Sequence, residues 1–298
     1  VQFLSELRQC YSAIAGRFFA DFTTIESISP AGALLLVAEC DRWRETIAKQ
    51  KLEPLNVNQW HPEVRNRLLE MGFFRLMRST KPVVRQDIQG ADESEQYLPF
   101  ESGHKAEGIK AQALRLEIEK LGPKLRDHES LFEGLTEAMT NVEHHAYPVS
   151  AKVRRWWMSA SVNATGRRLT VMFVDHGVGI PRTLPPDVVE HVRSALAQGG
   201  FEKLVKSDAK LIKAAVSLAR SQTLKPHRGN GLKRDIQGYI ERHDAVGSLL
   251  IISGRGQYRY TKQSGLKGKA TTKALPIAFN GTFIEWVIEE YAASESHD

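Results

Sequence analysis

Glu137 and Asn141 stand four residues apart in the run Leu135-Thr-Glu-Ala-Met-Thr-Asn141, which puts both on one stripe of a helix. That pairing suits metal-assisted phosphate chemistry. The amide oxygen of Asn141 can complete a Mg²⁺ shell otherwise made of water and phosphate oxygens, and the Glu137 carboxylate one turn away can orient an attacking nucleophile. A solvated helix face has the same spacing. Further on, Asp175-His-Gly177-Val-Gly179-Ile180-Pro181 follows an apolar run. An acid at a strand end, followed by glycines that let a planar ligand approach the backbone, can accept an exocyclic amine such as that of adenine. A glycine turn with an Asp cap reads the same way. A third cluster, Lys225-Pro-His-Arg228-Gly229-Asn230-Gly231-Leu232, opens an amphipathic helix. Backbone N–H groups at such a start, with Lys225 and Arg228 beside them, make a phosphate seat.

The elements that must position these residues are legible around them. Ser130-Leu-Phe-Glu133 has the form of a capping box, which starts a helix at Leu131. Along it, Leu131, Leu135, Ala138 and Val142 form the apolar face, and Glu133, Glu137, Asn141 and His145 line another. Arg168–Asp175 reads as a buried strand that delivers Asp175 to its glycines, and a late strand over Phe283–Ile288 is headed by Gly281-Thr282. The segment from Pro181 to Arg228 is long and carries helical patterns near Asp187–Ala197 and Glu202–Arg220. Upstream, residues 1–80 read as a small α/β unit with strands near 17–22 and 54–57 and helices near 31–44 and 61–71. Residues 81–104 are polar and read as a linker, so residues 105–298 form the second unit, opened by a helix that Gly122-Pro123 ends. There are no internal repeats.

The 298 residues are 42% apolar and 26% charged, as in an ordinary globular protein, and no apolar run approaches the roughly 18 residues needed to span a bilayer. The N-terminal residues lack a secretory or transit pattern. With only Cys10 and Cys40, no disulfide framework is expected, and a cytoplasmic location follows. The net charge of +6 is concentrated late: residues 151–298 hold 23 Lys/Arg against 13 Asp/Glu. Such an excess favours nucleotide phosphates, nucleic acid or an acidic protein alike.

Taken in order, E-x-x-x-N, D-x-G-x-G-I and G-x-G-L resemble the N, G1 and G2 boxes of the gyrase, heat-shock chaperone, histidine kinase and mismatch-repair (GHKL) ATPase superfamily. Leu135 to Tyr147, ending His-Ala-Tyr, is most similar to the anti-sigma-factor serine kinase branch. The resemblance covers about 105–291 and implies a Bergerat-type α/β sandwich, helices on a mixed sheet, holding ATP and Mg²⁺. It implies Asn141 as the Mg²⁺ ligand, Glu137 as general base and Asp175 as the adenine contact. Gly177, Gly179 and Ile180 then shape the base pocket, while Lys225, Arg228, Gly229, Asn230, Gly231 and Leu232 wrap the phosphates. Thr282 matches the late glycine-threonine element and supports the adenine carboxylate or a bridging water. No phosphoacceptor-helix pattern of a sensor histidine kinase lies upstream. Residues 1–80 resemble a STAS domain, with Ala31 where regulatory members carry the phosphorylated hydroxyl; Ser27 and Ser29 nearby read as turn formers.

The implied function is an ATPase or serine-kinase-like phosphotransferase that couples lid closure to a protein partner or a second copy. A slow, nucleotide-gated interaction module is the alternative, and a nucleic-acid effector with an ATP clamp a third. Residues 257–273 mix Tyr with Lys and Arg, as single-strand binders do, but a solvated hairpin explains them as well. In Arg154-Arg-Trp-Trp157, strand alternation predicts one buried and one exposed Trp. His144-His145 lacks the company needed for zinc.

Overall fold

The computed structural model describes residues 6, 18–46, 52–77, 82–88, 95–121, 128–163, 165, 167–197, 208–218, 238–242 and 245–289. The chain is α/β. The N-terminal unit pairs β1 (Phe18–Asp21) in parallel with β2 (Leu52–Leu55). Between them runs α1 (Pro30–Thr46), and α2 (Pro62–Glu70) and α3 (Phe73–Leu76) follow. Ser29 starts α1: its hydroxyl accepts the Gly32 N–H at 3.0 Å, with Pro30 at the first helical position.

The larger sheet contains β3 (Glu95–Tyr97), β4 (Glu101–Gly103), β5 (Trp156–Asn163), β6 (Arg168–Asp175), β7 (Val246–Lys262) and β8 (Lys269–Glu289). Its order is β3-β5-β6-β8-β7, with β4 also on β5. Every described pairing in it is antiparallel, and the parallel pairing belongs to the N-terminal unit. The mixed sheet expected of residues 105–298 is therefore antiparallel throughout its described pairs.

Helices α4 (Gly108–Leu121), α5 (His128–Asn141) and α6 (Asp208–Leu218) cover one face. Leu114, Ile118, Leu135, Met139, Ile212 and Val216 meet Met158, Phe173, Ile251, Ile284 and Trp286 there. The other face is covered by the N-terminal unit: Leu34, Val37, Trp60 and Phe73 share a cluster with Trp157, Met172, Val174, Leu250 and Phe283. Trp156 and Trp157 are consequently both fully buried. The expectation of one exposed Trp failed because alternation decides only which layer a side chain meets, and here both faces have one.

Two further expectations change. Residues 95–97 and 101–103, placed in the linker, are strands on β5, and residues 82–88 are tied to α2. Asn66 brackets Gln86, giving its amide N–H to the carbonyl at 2.7 Å and accepting the backbone N–H at 3.0 Å. Buried polar side chains of α2, Arg65 and Asn66, hold the backbone of this stretch, and its own composition does not record them. Helix α5 begins at His128, so Ser130 lies inside the helix and is not its cap.

Candidate nucleotide site

One row of residues crosses the sheet at the edge of the helix-side core. Trp156 on β5 is opposite Asp175 on β6, Asp175 opposite Thr282 on β8, and Thr282 opposite Ser253 on β7. The next row inward, Met158, Phe173, Ile284 and Ile251, is apolar. Asp175, Thr282 and Ser253 are all buried. Burial of three polar side chains costs stability unless each is hydrogen-bonded, and here each is. Asp175 Oδ1 accepts the Gly177 N–H at 2.7 Å, and the Thr282 hydroxyl and N–H also bond its carboxylate. Ser253 Oγ accepts the Ile180 N–H at 2.9 Å and donates to the Gly281 carbonyl at 2.8 Å. Burial pushes the Asp175 carboxyl up to about 7, against the opposing pull of the Gly177 and Thr282 donors.

The loop leaving Asp175 is docked on the helix that carries the other candidates. Asn141 Nδ2 donates to Glu137 Oε1 at 3.3 Å, so the two share a face as their spacing requires. Immediately after Asn141 the helix widens into a π-turn, Val142–Ala146. The Ala146 carbonyl at its end accepts the Val178 N–H at 2.7 Å. Gly177 approaches the same carbonyl so closely that a Cβ would stand 2.2 Å from its oxygen. Gly179 has φ +85, and a Cβ there would lie 2.6 Å from Ser253 Oγ. Tyr147 completes the junction: its hydroxyl accepts the His176 N–H at 2.9 Å and donates to the Arg155 carbonyl at 2.6 Å. Burial first, and then the charge of Asp175, raise the Tyr147 phenol far above its ordinary value, so it keeps the proton it donates.

Asp175, Gly177, Gly179, Ile180 and Thr282 thus gather where the end of β6 lies beside the middle of β8, and their loop is bonded to the π-turn that follows Asn141; Glu137 and Asn141 are bonded to each other on the helix just before that turn. Lys225, Arg228, Gly229, Asn230, Gly231 and Leu232 lie outside the described residues. Within the long segment from 181 to 228, residues 208–218 form a helix packed into the core, with Ala209, Ile212 and Val216 buried and the Asp208 carboxylate accepting the Arg255 N–H at 2.6 Å.

Sequence reasoning missed Ser253, Tyr147 and His176. Ser253 resembles Asp175 in sequence, a polar residue that ends an apolar run with glycines soon after it. Tyr147 belonged to the His-Ala-Tyr ending but had been given no role.

As a metal site, the donor set is sparse: among the described residues no group of three or more His, Cys, Asp or Glu is assembled for an ion. With its N–H group on Glu137, Asn141 has its amide oxygen as the atom that could meet a cation. That fits an ion whose remaining ligands come from phosphate and water. Tyr258 and Tyr260 are each 3% exposed within the helix-side core, so neither is presented to a base. No helix among the described residues is long and apolar enough to cross a membrane. No protein-family model matches this chain, and no curated protein matches it.

Proposed function

We propose that this chain binds Mg-ATP in a GHKL-type site and turns it over by hydrolysis or transfer of the γ-phosphate, with the N-terminal unit, STAS-like in its order of elements, as the part that addresses a protein partner. The observation that carries the reading is the meeting of two motifs distant in sequence. The loop after Asp175 is hydrogen-bonded to the π-turn that directly follows Asn141. In this reading Asp175, its carboxylate braced by Thr282 and Gly177, accepts the adenine amine, and Gly177 and Gly179 leave room for the ring. Asn141 holds the cation, Glu137 orients the nucleophile, and the unassigned stretch 225–232 supplies phosphate contacts. Mg²⁺ neutralises charge developing on the phosphates.

Phosphate release by the full chain tests the catalytic half of this reading. Glu137→Ala is expected to lower the rate at least about 100-fold, within the range of general-base contributions, while Mg-ATP affinity stays near that of the parent. Turnover unaffected by the substitution would remove Glu137 from the mechanism. Absent turnover with intact binding in the parent would leave a nucleotide-gated module.

A further inference from the structure

Asp175 and His176 are neighbours in sequence, yet their side chains enter opposite layers. Asp175 lies in the helix-side row described above. His176 points into the N-terminal unit, between Trp157 at 5.1 Å and Phe279 at 6.4 Å, with its side chain 2% exposed. There its Nε2 stands 3.5 Å from Oε2 of Glu39, a fully buried residue of α1. The other oxygen of that carboxylate accepts the Arg42 guanidinium at 2.6 Å. At this separation the two form an ion pair when the imidazole is protonated, which sets a buried carboxylate of α1 directly against the imidazole.

A second strap reinforces the first. Arg155 bonds Asp41 at 3.4 Å and Glu45 at 2.9 Å, both on α1. The Arg155 carbonyl holds the Tyr147 hydroxyl, which holds the His176 N–H. Trp157 Nε1 also donates to Asp41 at 2.8 Å. Helix α1 therefore grips both the side chain and the backbone of the residue next to Asp175. The Asp175 carbonyl and the His176 N–H belong to one planar peptide, so the Tyr147 hydroxyl that holds this N–H also fixes the plane of the Asp175 carbonyl.

We propose that Glu39 is a positioning residue of the candidate nucleotide site, acting from the N-terminal unit through His176 on the loop that carries Asp175; this rests on the reading of that loop as the base-binding segment. Glu39 lies across the sheet from Glu137 and Asn141 and has no part in the chemistry. Its work is to keep the Asp175–Gly179 loop seated on the Ala146 carbonyl. The N-terminal unit is thereby a component of the site, and movement of α1 is felt as nucleotide affinity.

The test uses the full chain at one pH, with Mg-ATP titrations, melting temperatures and hydrogen exchange of amides 176–180 without nucleotide. Glu39→Ala is expected to weaken Mg-ATP about tenfold and to speed exchange in the loop. Glu39→Gln, which keeps the shape and an acceptor oxygen, recovers affinity to within about threefold. Val64→Ala, a truncation in the α2 core of the same unit, lowers the melting temperature but leaves affinity and loop exchange unchanged. If Glu39→Ala does not fold, Glu39→Asp, which withdraws the carboxylate by one methylene, takes its place with the same expectation. Parent-like binding and exchange in the Glu39 variants would overturn the proposal. So would a Val64→Ala protein that loses as much affinity as Glu39→Ala. If the parent takes up no Mg-ATP, the nucleotide reading falls, and the exchange comparison alone decides whether Glu39 holds the loop.

Discussion

Asp175 is the side chain whose environment says most about the site. Its carboxyl, pushed up to about 7 by burial, binds a proton more tightly in the folded chain than in the unfolded one. Folding stability from this group is therefore greatest below pH 4 and declines as pH rises through the window from about 4 to about 7, by roughly 4 kcal/mol in all. Asp175→Asn removes the titration, so urea unfolding of that variant across pH 4–7 loses this part of the decline. A ligand amine donating to the carboxylate favours the ionised form. Mg-ATP binding near pH 6 is then expected to release up to one proton, seen calorimetrically as a heat that depends on the buffer's ionisation enthalpy. A buffer-independent heat in the parent would place the ligand elsewhere. Asp175 was visible in the sequence because an acid ends an apolar run before two glycines. Ser253 was passed over because a serine before glycine is also how many turns begin, and only strand register puts it in line with Thr282.

Between elements, the decisive contact is the loop 175–180 against the end of α5. The helix and the strand were each readable alone: apolar residues at helical spacing through Leu135, Ala138 and Val142, and an unbroken β-rich run over Arg168–Asp175. Their junction was not, because it is made by backbone groups, which no side-chain pattern records. The Ala146 carbonyl and the Gly177 backbone meet only because residue 177 has no Cβ. Gly177→Ala must push loop and π-turn apart. We expect it to destabilise the fold by about 1–3 kcal/mol, in the range of overpacked cores, and to weaken Mg-ATP at least about tenfold. Chemical denaturation and titration check the two effects separately. An alanine tolerated in both would mean that the junction is looser than its geometry indicates. The capping-box reading at Ser130 went astray at this scale too, since a local motif does not know that the helix continues upstream to His128.

At the level of the whole molecule, the larger sheet is sandwiched, with helices on one face and the N-terminal unit on the other. Division at a polar linker was the natural reading of composition, but strands β3 and β4 and the bracketing of Gln86 by Asn66 knit that stretch into both parts. Trp157 is the keystone of the second interface, buried under α1 with its N–H on Asp41. Trp157→Ala is expected to cost about 3–5 kcal/mol, the range for large buried aromatics. Calorimetry of the parent chain is expected to show one cooperative transition rather than two. Two well-separated transitions would mean that the units fold independently despite their shared core.

In the proposed site the sequence-distant groups Asn141 and Asp175 serve one adenine nucleotide. Thermal unfolding of the full chain with and without excess Mg-ATP, in the parent and in Asn141→Ala and Asp175→Ala, tests it most directly. At nucleotide about 100 times the dissociation constant, binding stabilises the folded state by about 2.7 kcal/mol. The parent is expected to melt roughly 5 °C higher for it, with most of that shift lost in each variant. No shift in the parent, or a shift that both variants keep in full, would mean that Asn141 and Asp175 do not share a nucleotide.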